Sequence, residues 1–320
     1  MRLLITGATG FIGNALVREL INKRYKVRIF TRTSRFKIDS IDAIVGDITD
    51  LDSCKKACEG IDVVIHCAGV LGGWGIANQK FWDVNVNGTE NMLKAASEAK
   101  VKKFIHISSC GVFGPMEDEQ IANENCPYNP TNIYEKTKIE GEKIVLKYAK
   151  KIPIIIIRPD FVYGPGDLHL LKLFKTVKER RFVFFNDGKS KLHPTYINDL
   201  VVSILSATKS KKAVGETFNI AGPRPVTVKE FITTMAKALG VGPPTLSIPS
   251  PIPEIAGFVL DNSWGLVAKP PLTLSQVKYL TKNRTTNWEK AKKILRYKPK
   301  TDVVTGMRNT VKWYRENNLL

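Results

Sequence analysis

The chain has 320 residues, 43% of them hydrophobic, and this length allows one large domain or a domain with a smaller lobe. Its five cysteines are odd in number and contain no Cys-x-x-Cys pair, which argues against a disulfide framework and against a zinc site. We therefore expect reduced thiols, a cytoplasmic location and no metal. The cysteines are Cys54, Cys58, Cys67, Cys110 and Cys126.

The formal net charge of +19 is compatible with nucleic-acid binding. The lysines, however, are spread over helix-like segments and are not clustered with aromatic residues. This favours a solvated basic surface that attracts anionic small molecules such as phosphorylated cofactors. The apolar run at residues 3–5 is too short for a signal peptide, and no window of about 20 apolar residues predicts a transmembrane helix. We expect a small-molecule substrate, no nucleic-acid partner and no membrane-spanning segment.

The first predicted unit is a strand, a glycine turn and a helix. Residues 2–6 form an apolar run, Gly7-x-x-Gly10-x-x-Gly13 follows, and apolar residues then recur at helical spacing to about residue 23. Glycines in this context let backbone N–H groups approach a pyrophosphate, and the helix N-terminus adds its positive dipole. We assign to a dinucleotide site Gly7, Thr9, Gly10, Phe11, Ile12 and Gly13.

The second predicted strand, residues 27–30, bears on the choice of cofactor. An NAD site usually carries Asp or Glu after this strand, whereas this chain has Thr31, Arg32, Thr33, Ser34 and Arg35. Arginines here pair with a 2′-phosphate, which favours NADP(H) over NAD(H). In the alternative interpretation these arginines are solvated loop residues and the site accepts both cofactors.

Two further strands, at residues 43–48 and 61–66, predict more of the cofactor site. Asp47 ends the first and is placed to accept a hydrogen bond from an adenine amino group. The second ends in small residues, where the backbone can approach a dinucleotide. His66 lies within that strand and is interpreted as a packed residue. A long helix is predicted from about residue 83 to residue 100. Residues assigned to the cofactor from this region are Asp47, Ile48, Ala68, Gly69 and Asn85.

A strand at residues 104–107 leads into Ser108 and Ser109. Ligands of open α/β sheets bind at the carboxyl ends of the strands, so these serines are predicted to lie near the cofactor. Tyr134 and Lys138 follow at the opening of a predicted helix, and residues at i and i+4 lie on the same helix face. A neighbouring cation lowers the pKa of a phenol, which predicts general acid–base chemistry at Tyr134.

The repeating βα units up to about residue 160 predict a Rossmann-type, doubly wound parallel sheet. We assign residues 1–160 to a dinucleotide-binding domain, to which some later segments return. Residues 161–320 are assigned mainly to a smaller C-terminal α/β substrate lobe that includes a short strand at residues 217–220. Residues 251–268 are interpreted as a lid or cleft wall, with a membrane-surface helix as the alternative.

The glycine motif, Asp47, Ser109 and the Tyr134-x-x-x-Lys138 pair, in this order, resemble an extended short-chain dehydrogenase/reductase of the NAD-dependent epimerase/dehydratase family. Later motifs are similar too, namely Arg158-Pro159, residues 162–166, residues 197–199 and residues 218–222. The resemblance implies that Ser109 hydrogen-bonds the substrate oxygen, that Tyr134 is the acid/base, and that Lys138 binds the nicotinamide ribose and lowers the tyrosine pKa. It also implies that Pro159 and Val162 contact the cofactor, and that the protein is a homodimer.

Two departures from the family pattern bear on the substrate. Nucleotide-sugar epimerases usually carry Asn where this chain has Phe161, and an Arg where it reads Lys191-Leu192-His193-Pro194. Both changes remove polar contacts to a diphosphate, and Phe161 and His193 become candidates for substrate contacts. Lys191 could still serve a diphosphate.

The tail at residues 272–299 resembles that of dihydroflavonol-reductase-like and 3β-hydroxysteroid-dehydrogenase-like members. Together with the two departures, it favours that branch of the family. The expected function is therefore an NAD(P)-dependent oxidoreductase acting on a substrate alcohol or ketone. One alternative is a nucleotide-sugar epimerase or dehydratase with tightly bound NAD. The other is a catalytically silent dinucleotide sensor or nucleic-acid-binding scaffold.

Overall fold

A central parallel sheet organises the chain. The computed structural model describes residues 1–33, 41–72, 75–117, 120–249, 251–252 and 274–320. The strands are β1 (Arg2–Thr6), β2 (Lys26–Thr31), β3 (Asp42–Val45), β4 (Val63–His66), β5 (Lys103–Ile107), β6 (Ile154–Pro159), β7 (Val162–Tyr163), β8 (Phe184–Phe185), β9 (Lys191–Leu192), β10 (Thr195–Tyr196), β11 (Thr217–Ile220), β12 (Val226–Thr227) and β13 (Ser247–Ile248).

Helices flank both faces of this sheet. They are α1 (Phe11–Asn22), α2 (Leu51–Cys58), α3 (Asn78–Phe81), α4 (Gly88–Glu98), α5 (Ile133–Lys147), α6 (Leu171–Lys178), α7 (Ile197–Lys209), α8 (Val228–Leu239), α9 (Leu274–Thr281), α10 (Glu289–Leu295) and α11 (Val303–Glu316). A π-helical segment, Trp82–Asn87, joins α3 to α4, so the helix predicted from residue 83 begins five residues earlier, at Asn78.

The order of the described sheet is β11-β6-β5-β4-β1-β2-β3, and every neighbouring pair is parallel. The prediction of a Rossmann-type, doubly wound sheet is confirmed. The chain runs outward from β1 through β2 to β3, and then returns to place β4 on the other side of β1. A ligand crevice is expected at this switch point, outside the carboxyl ends of the strands.

One strand was assigned to the wrong part of the molecule. Residues 217–220 were predicted to belong to the C-terminal lobe, but β11 extends the central sheet and pairs with β6, with Phe218 opposite Ile157. Phe218 and Ile220 are fully buried, as is usual for a strand covered by helices on both faces. Four residues after a long helix give too short a pattern to distinguish the two placements.

The two faces of β1 build two cores, because side chains alternate along a strand. Leu4 packs into a cluster with α2 and α4. Leu3 and Ile5 face the other way, into a cluster that also contains Phe231 of α8 and Tyr314 of α11. The helices of the predicted substrate lobe therefore share a hydrophobic core with the sheet.

Some predictions fall outside the described residues. These are Ser34 and Arg35 near the cofactor, the lid at residues 253–268, and Leu272 in the tail motif. Among the described helices, none has the length and the apolar character needed to cross a membrane.

Gly306 provides a test of the packing between α11 and β7. A Cβ at this position would lie 2.1 Å from the Tyr163 hydroxyl, whose oxygen is buried without a partner among the described residues. We expect Gly306→Ala to lower the free energy of unfolding by about 1–3 kcal/mol through overpacking, measured by urea denaturation. Adding Tyr163→Phe should recover part of that loss.

Gly242→Ala is the matched control, because a Cβ there meets nothing within 4 Å. Equal stability of Gly306→Ala and the wild type would contradict the packing described for α11.

Candidate active site

A cavity of about 800 Å³ opens at the carboxyl ends of the central strands. One wall is the glycine loop after β1, and another is formed by the end of β5 with the first turn of α5. A further wall comes from residues 159–162 after β6 and from residues 279–286 near the C-terminus. The cavity thus lies at the predicted switch point of the sheet.

The glycine loop is shaped for a group that approaches the main chain closely. Gly7 has φ +67°, and a Cβ on it would lie 2.7 Å from the Ala68 nitrogen. A Cβ on Gly13 would lie 2.2 Å from the Gly7 carbonyl oxygen. Gly10 precedes α1 without a side-chain cap, and the first turn of α1 holds no acidic residue. The N-terminal N–H groups of α1 therefore remain available for a pyrophosphate, and a dinucleotide fits this loop.

The other predicted cofactor residues differ in their placement. Gly10, Phe11, Ile12, Gly13, Gly69, Pro159 and Val162 line the cavity. Thr9 is exposed, and Ile48 is buried against α4, where a Cβ on Gly88 would collide with it. Ala68 donates its N–H to the Thr6 hydroxyl at 3.1 Å, which holds the loop after β4 against β1.

Asp47 and Arg32 lie away from the cavity, at the edge of the sheet. Burial raises the pKa of Asp47, but hydrogen bonds from the Thr49 N–H and hydroxyl together contribute to a larger lowering. The net pKa of Asp47 therefore lies below its usual value. The charges of Lys80 and Arg32 act in the same direction. The exposed Arg32 side chain is thus near the carboxylate predicted to bind adenine.

Asn85 does not line the cavity. Its side-chain oxygen accepts from the Val70 N–H at 2.7 Å, and its amide donates to the Val70 carbonyl and to Thr137. The predicted direct contact with the cofactor is corrected to a brace between the loop after β4 and α5. The interpretation of His66 as a packed residue is confirmed, because its fully buried ring bonds Thr6 and Thr89.

The predicted catalytic side chains Ser109, Tyr134 and Lys138 all line the cavity. Asn132 caps α5 by accepting the Glu135 N–H at 2.9 Å, which fixes Tyr134 in the first helical turn. Ser109 follows β5, and its hydroxyl oxygen accepts the Gly111 N–H at 3.0 Å. The Lys138 ammonium donates to the Ile107 carbonyl at 2.6 Å, one residue beyond the last ladder position of β5 shared with β4.

The sequence predicted a lowered pKa for Tyr134, and this prediction was wrong. The net pKa of Tyr134 is raised to about 12, mainly by burial and also by the Glu135 carboxylate, against the lowering effect of a hydrogen bond with Ser109. Burial also lowers the pKa of Lys138 to about 8. Sequence reasoning counted the nearby cation but not the loss of solvation, which here is the larger effect.

A buried ion pair beside Tyr134 was not predicted. Arg284 donates to the Glu135 carboxylate at 3.0 Å, and both side chains are less than 10% exposed. The same guanidinium lies over the Tyr279 ring, 4.9 Å from its centre. The partners are 149 positions apart, so no local pattern indicated the pair.

Asp160 is a second carboxyl group on this wall. It is 5% exposed, lines the cavity and accepts the Thr286 hydroxyl at 2.8 Å. Burial raises its pKa to about 7, against the lowering effects of Thr286 and Arg284. An acid directly after Arg158-Pro159, in an otherwise apolar strand end, was the available sequence signal.

Of the two residues predicted to contact the substrate, one lines the cavity and the other does not. Phe161 lines the cavity and packs against Phe231 and Tyr279, so it forms an apolar wall as expected. His193 does not line the cavity. Its ring is 3% exposed and bonds the Gly222 carbonyl at 3.0 Å, and burial lowers its pKa to about 4. Its assignment as a substrate residue is therefore corrected to a packing role, because its ring is buried and bonded to the main chain.

The chain is similar to known enzymes that act on alcohols and ketones. The model of the NAD dependent epimerase/dehydratase family matches residues 3–221. A 3β-hydroxysteroid dehydrogenase/Δ5→4-isomerase from Mycobacterium tuberculosis is 30% identical over 268 residues, covering 78% of this chain and 72% of that protein. A 2-alkyl-3-oxoalkanoate reductase from Shewanella oneidensis is 27% identical over 325 residues, covering 95% and 84% respectively.

Solved structures share the same architecture. UDP-glucuronic acid 4-epimerase from Bacillus cereus, in complex with NAD, superposes with a TM-score of 0.79 at 27% identity and covers 99% of both chains. UDP-glucose 4-epimerase from Thermotoga maritima, at 22% identity, shows the same fold with a TM-score of 0.81.

The raised pKa of Asp160 predicts a pH dependence of stability. The Asp160 carboxyl has a pKa of 3.8 in the unfolded chain and of about 7 in the folded protein. The folded state therefore binds more protons than the unfolded state at pH values between the two. The stabilisation is complete below about pH 4 and is lost as the pH rises through about 7. Asp160→Asn imitates the protonated form. Relative to the wild type, it should gain about 2–3 kcal/mol of unfolding free energy between about pH 5 and pH 8.

Urea denaturation at the two pH values measures this gain. Asp187→Asn is the control, because the pKa of Asp187 is lowered and its titration lies below this range. A difference from wild type that does not change with pH would show that Asp160 is already ionised near pH 5.

Proposed function

Since this chain belongs to the NAD-dependent epimerase/dehydratase family of extended short-chain dehydrogenases/reductases, we propose that it interconverts an alcohol and a ketone on an apolar, ring-bearing substrate. The observation that carries the proposal is the meeting of Ser109 and Tyr134 on the cavity wall facing the glycine loop, with the buried Lys138 ammonium on the same helix face. When bound, the nicotinamide supplies or accepts the hydride.

Tyr134 is the proton donor in the reducing direction. Because its pKa is raised to about 12, it carries its proton at neutral pH and is in the form that gives it to a ketone oxygen. The Ser109 hydroxyl holds that oxygen by a hydrogen bond. Lys138 remains mostly cationic at neutral pH, since its pKa is about 8, and it stabilises the phenolate that proton transfer leaves.

The opposite wall supports an apolar substrate. The rings of Phe161 and Tyr279 are tilted to each other with centres 5.7 Å apart, and both residues line the cavity with Leu170. The Arg284 cation is already paired with Glu135, so a diphosphate would have to compete with a buried carboxylate for it. The relatives named as a hydroxysteroid dehydrogenase and an oxoalkanoate reductase are in keeping with this substrate class.

A specific observation favours sugar-nucleotide epimerisation as a second candidate. Lys191 and Arg224 line a smaller pocket of about 290 Å³ that shares Thr285 with the main cavity. These basic side chains are suited to a diphosphate, although Arg224 is already paired with Glu230 of the same pocket. The chain is also similar to a UDP-glucuronic acid 4-epimerase. Incubation with UDP-glucose and UDP-glucuronic acid separates the two candidates. An epimer formed without net change in the absorbance of reduced nicotinamide would overturn net oxidoreduction.

Replacing Tyr134 tests the proton step. We expect Tyr134→Phe to lower kcat by about 10²–10⁴-fold with a panel of cyclic ketones, because the proton donor is lost. Cofactor affinity, measured by titration of the protein's fluorescence, should stay within about twofold, since the glycine loop is unchanged.

Tyr148→Phe, at the C-terminal end of the same helix, is the matched control and should keep full activity. A fully active Tyr134→Phe enzyme would reject Tyr134 as the acid/base. Cofactor binding by the wild type without turnover of any ketone in the panel would favour a dinucleotide sensor.

Arg32 tests a preference for NADP(H), which we propose on the basis of this exposed cation after β2. Arg32→Ala should lower the ratio of kcat/KM for NADPH to that for NADH by about tenfold, because a charge-assisted bond to the 2′-phosphate is lost. The same ratio is measured for Arg18→Ala, an exposed arginine on α1 that bonds Asn14. An equal change in both variants would show a general loss of positive charge and no specific phosphate contact.

A further inference from the structure

Asp160 has no part in the proton transfer just described, yet its carboxyl group lies in the same cavity. The main chain fixes its position, because its N–H donates to the Ile220 carbonyl at 2.9 Å on the neighbouring strand β11. Phe161 and Tyr279 form apolar surface beside it. A buried carboxyl in such surroundings is costly unless its oxygens are hydrogen-bonded.

The protein satisfies this carboxyl only in part. A carboxylate has room for about four hydrogen bonds. The described chain supplies the Thr286 hydroxyl at 2.8 Å and the N–H of Phe161. The charge of Arg284 acts on Asp160, but this guanidinium is hydrogen-bonded to Glu135 at 3.0 Å and makes no hydrogen bond to Asp160 among the described residues. Asp160 therefore keeps acceptor capacity on the cavity side and has no cation of its own.

We propose that Asp160 is a specificity-determining residue that accepts a hydrogen bond from a hydroxyl group of the substrate, a second oxygen function distinct from the carbon that reacts at Tyr134. The substrate class is then a hydroxyketone, or the corresponding diol, on an apolar ring. This inference rests on the proposed oxidoreductase function and specifies its substrate.

Charge selects a hydroxyl over the two other substituents that could reach Asp160. A substrate carboxylate at Asp160 would be repelled by Asp160 and by Glu135, since both carboxylates act on the neighbouring Tyr279. The Arg284 cation is already paired with Glu135. An ammonium group would pair with Asp160, but it would enter a cavity already holding the Lys138 and Arg284 cations, in a protein of net charge +19. A neutral donor avoids both repulsions.

A matched ligand series tests the inference. Binding of 4-hydroxy-, 4-methoxy-, 4-amino- and 4-carboxycyclohexanone to the cofactor-loaded enzyme is measured by calorimetry at about pH 8, where Asp160 is mostly ionised. The methoxy compound has the same oxygen but cannot donate. We expect the hydroxyketone to bind about tenfold more tightly than the methoxyketone, and the carboxylate to bind most weakly.

Substitutions assign that preference to Asp160. The ratio of hydroxyketone to methoxyketone affinity should fall to about threefold in Asp160→Asn, which keeps an acceptor without the charge, and to about one in Asp160→Leu. Asp160→Asn decides the matter if the leucine variant does not fold. Asp167→Asn is the control, because Asp167 also lines the cavity but accepts the His169 N–H at 2.8 Å, and it should keep the wild-type ratio.

Three results would overturn the inference: no wild-type preference for the hydroxyketone, the same preference in Asp160→Asn, or tighter binding of the aminoketone. Turnover of the same ketones with NADPH and NADH is scored separately. Turnover without hydroxyl selectivity keeps the oxidoreductase function and rejects the role of Asp160. Selectivity lost in the Asp160 variants, without turnover in any, keeps that role and rejects the function.

Discussion

The hydrogen bond from the Lys138 ammonium to the Ile107 carbonyl joins the two halves of the site. It fastens α5 to the carboxyl end of β5, and so it holds Tyr134 beside the serine that follows that strand. A buried ammonium needs such partners, because an unsatisfied charge in this environment would cost several kcal/mol. Ile107 lies one residue beyond the end of the β4–β5 ladder, so the ammonium of the helix and a carbonyl at the end of the strand satisfy each other.

The sequence was sufficient for those parts of the molecule that local chemistry decides. The glycine spacing predicted the loop after β1, because a Cβ on Gly7 or Gly13 would collide with main-chain atoms. The i, i+4 spacing predicted that Tyr134 and Lys138 share a helix face, and the repeated βα units predicted a doubly wound parallel sheet. The placement of β11 could not be predicted, because its four residues carry no signal about which strand they pair with.

The wall opposite the cofactor loop could not be derived in the same way. Glu135 and Arg284 meet across 149 positions, and each alone resembles an ordinary surface charge in the sequence. The pKa of Tyr134 depends on burial, which is a property of the completed fold, and the prediction considered only the nearest cation. His193 lay next to a family motif, but its burial and its bond to the Gly222 carbonyl, 29 positions away, depend on the completed fold.

The shared hydrophobic cluster that joins β1 to α8 and α11 bears on how such an enzyme can diverge. One wall of the cavity contains main chain packed so closely that a Cβ on Gly7 or Gly13 would collide with it. The other wall consists of side chains, such as Phe161 and Tyr279, supported by a core that the sheet stabilises independently of the ligand. Mutation can therefore exchange the chemistry of the second wall while the first stays fixed, and new substrate preferences can arise in a lineage without loss of the nucleotide-binding half.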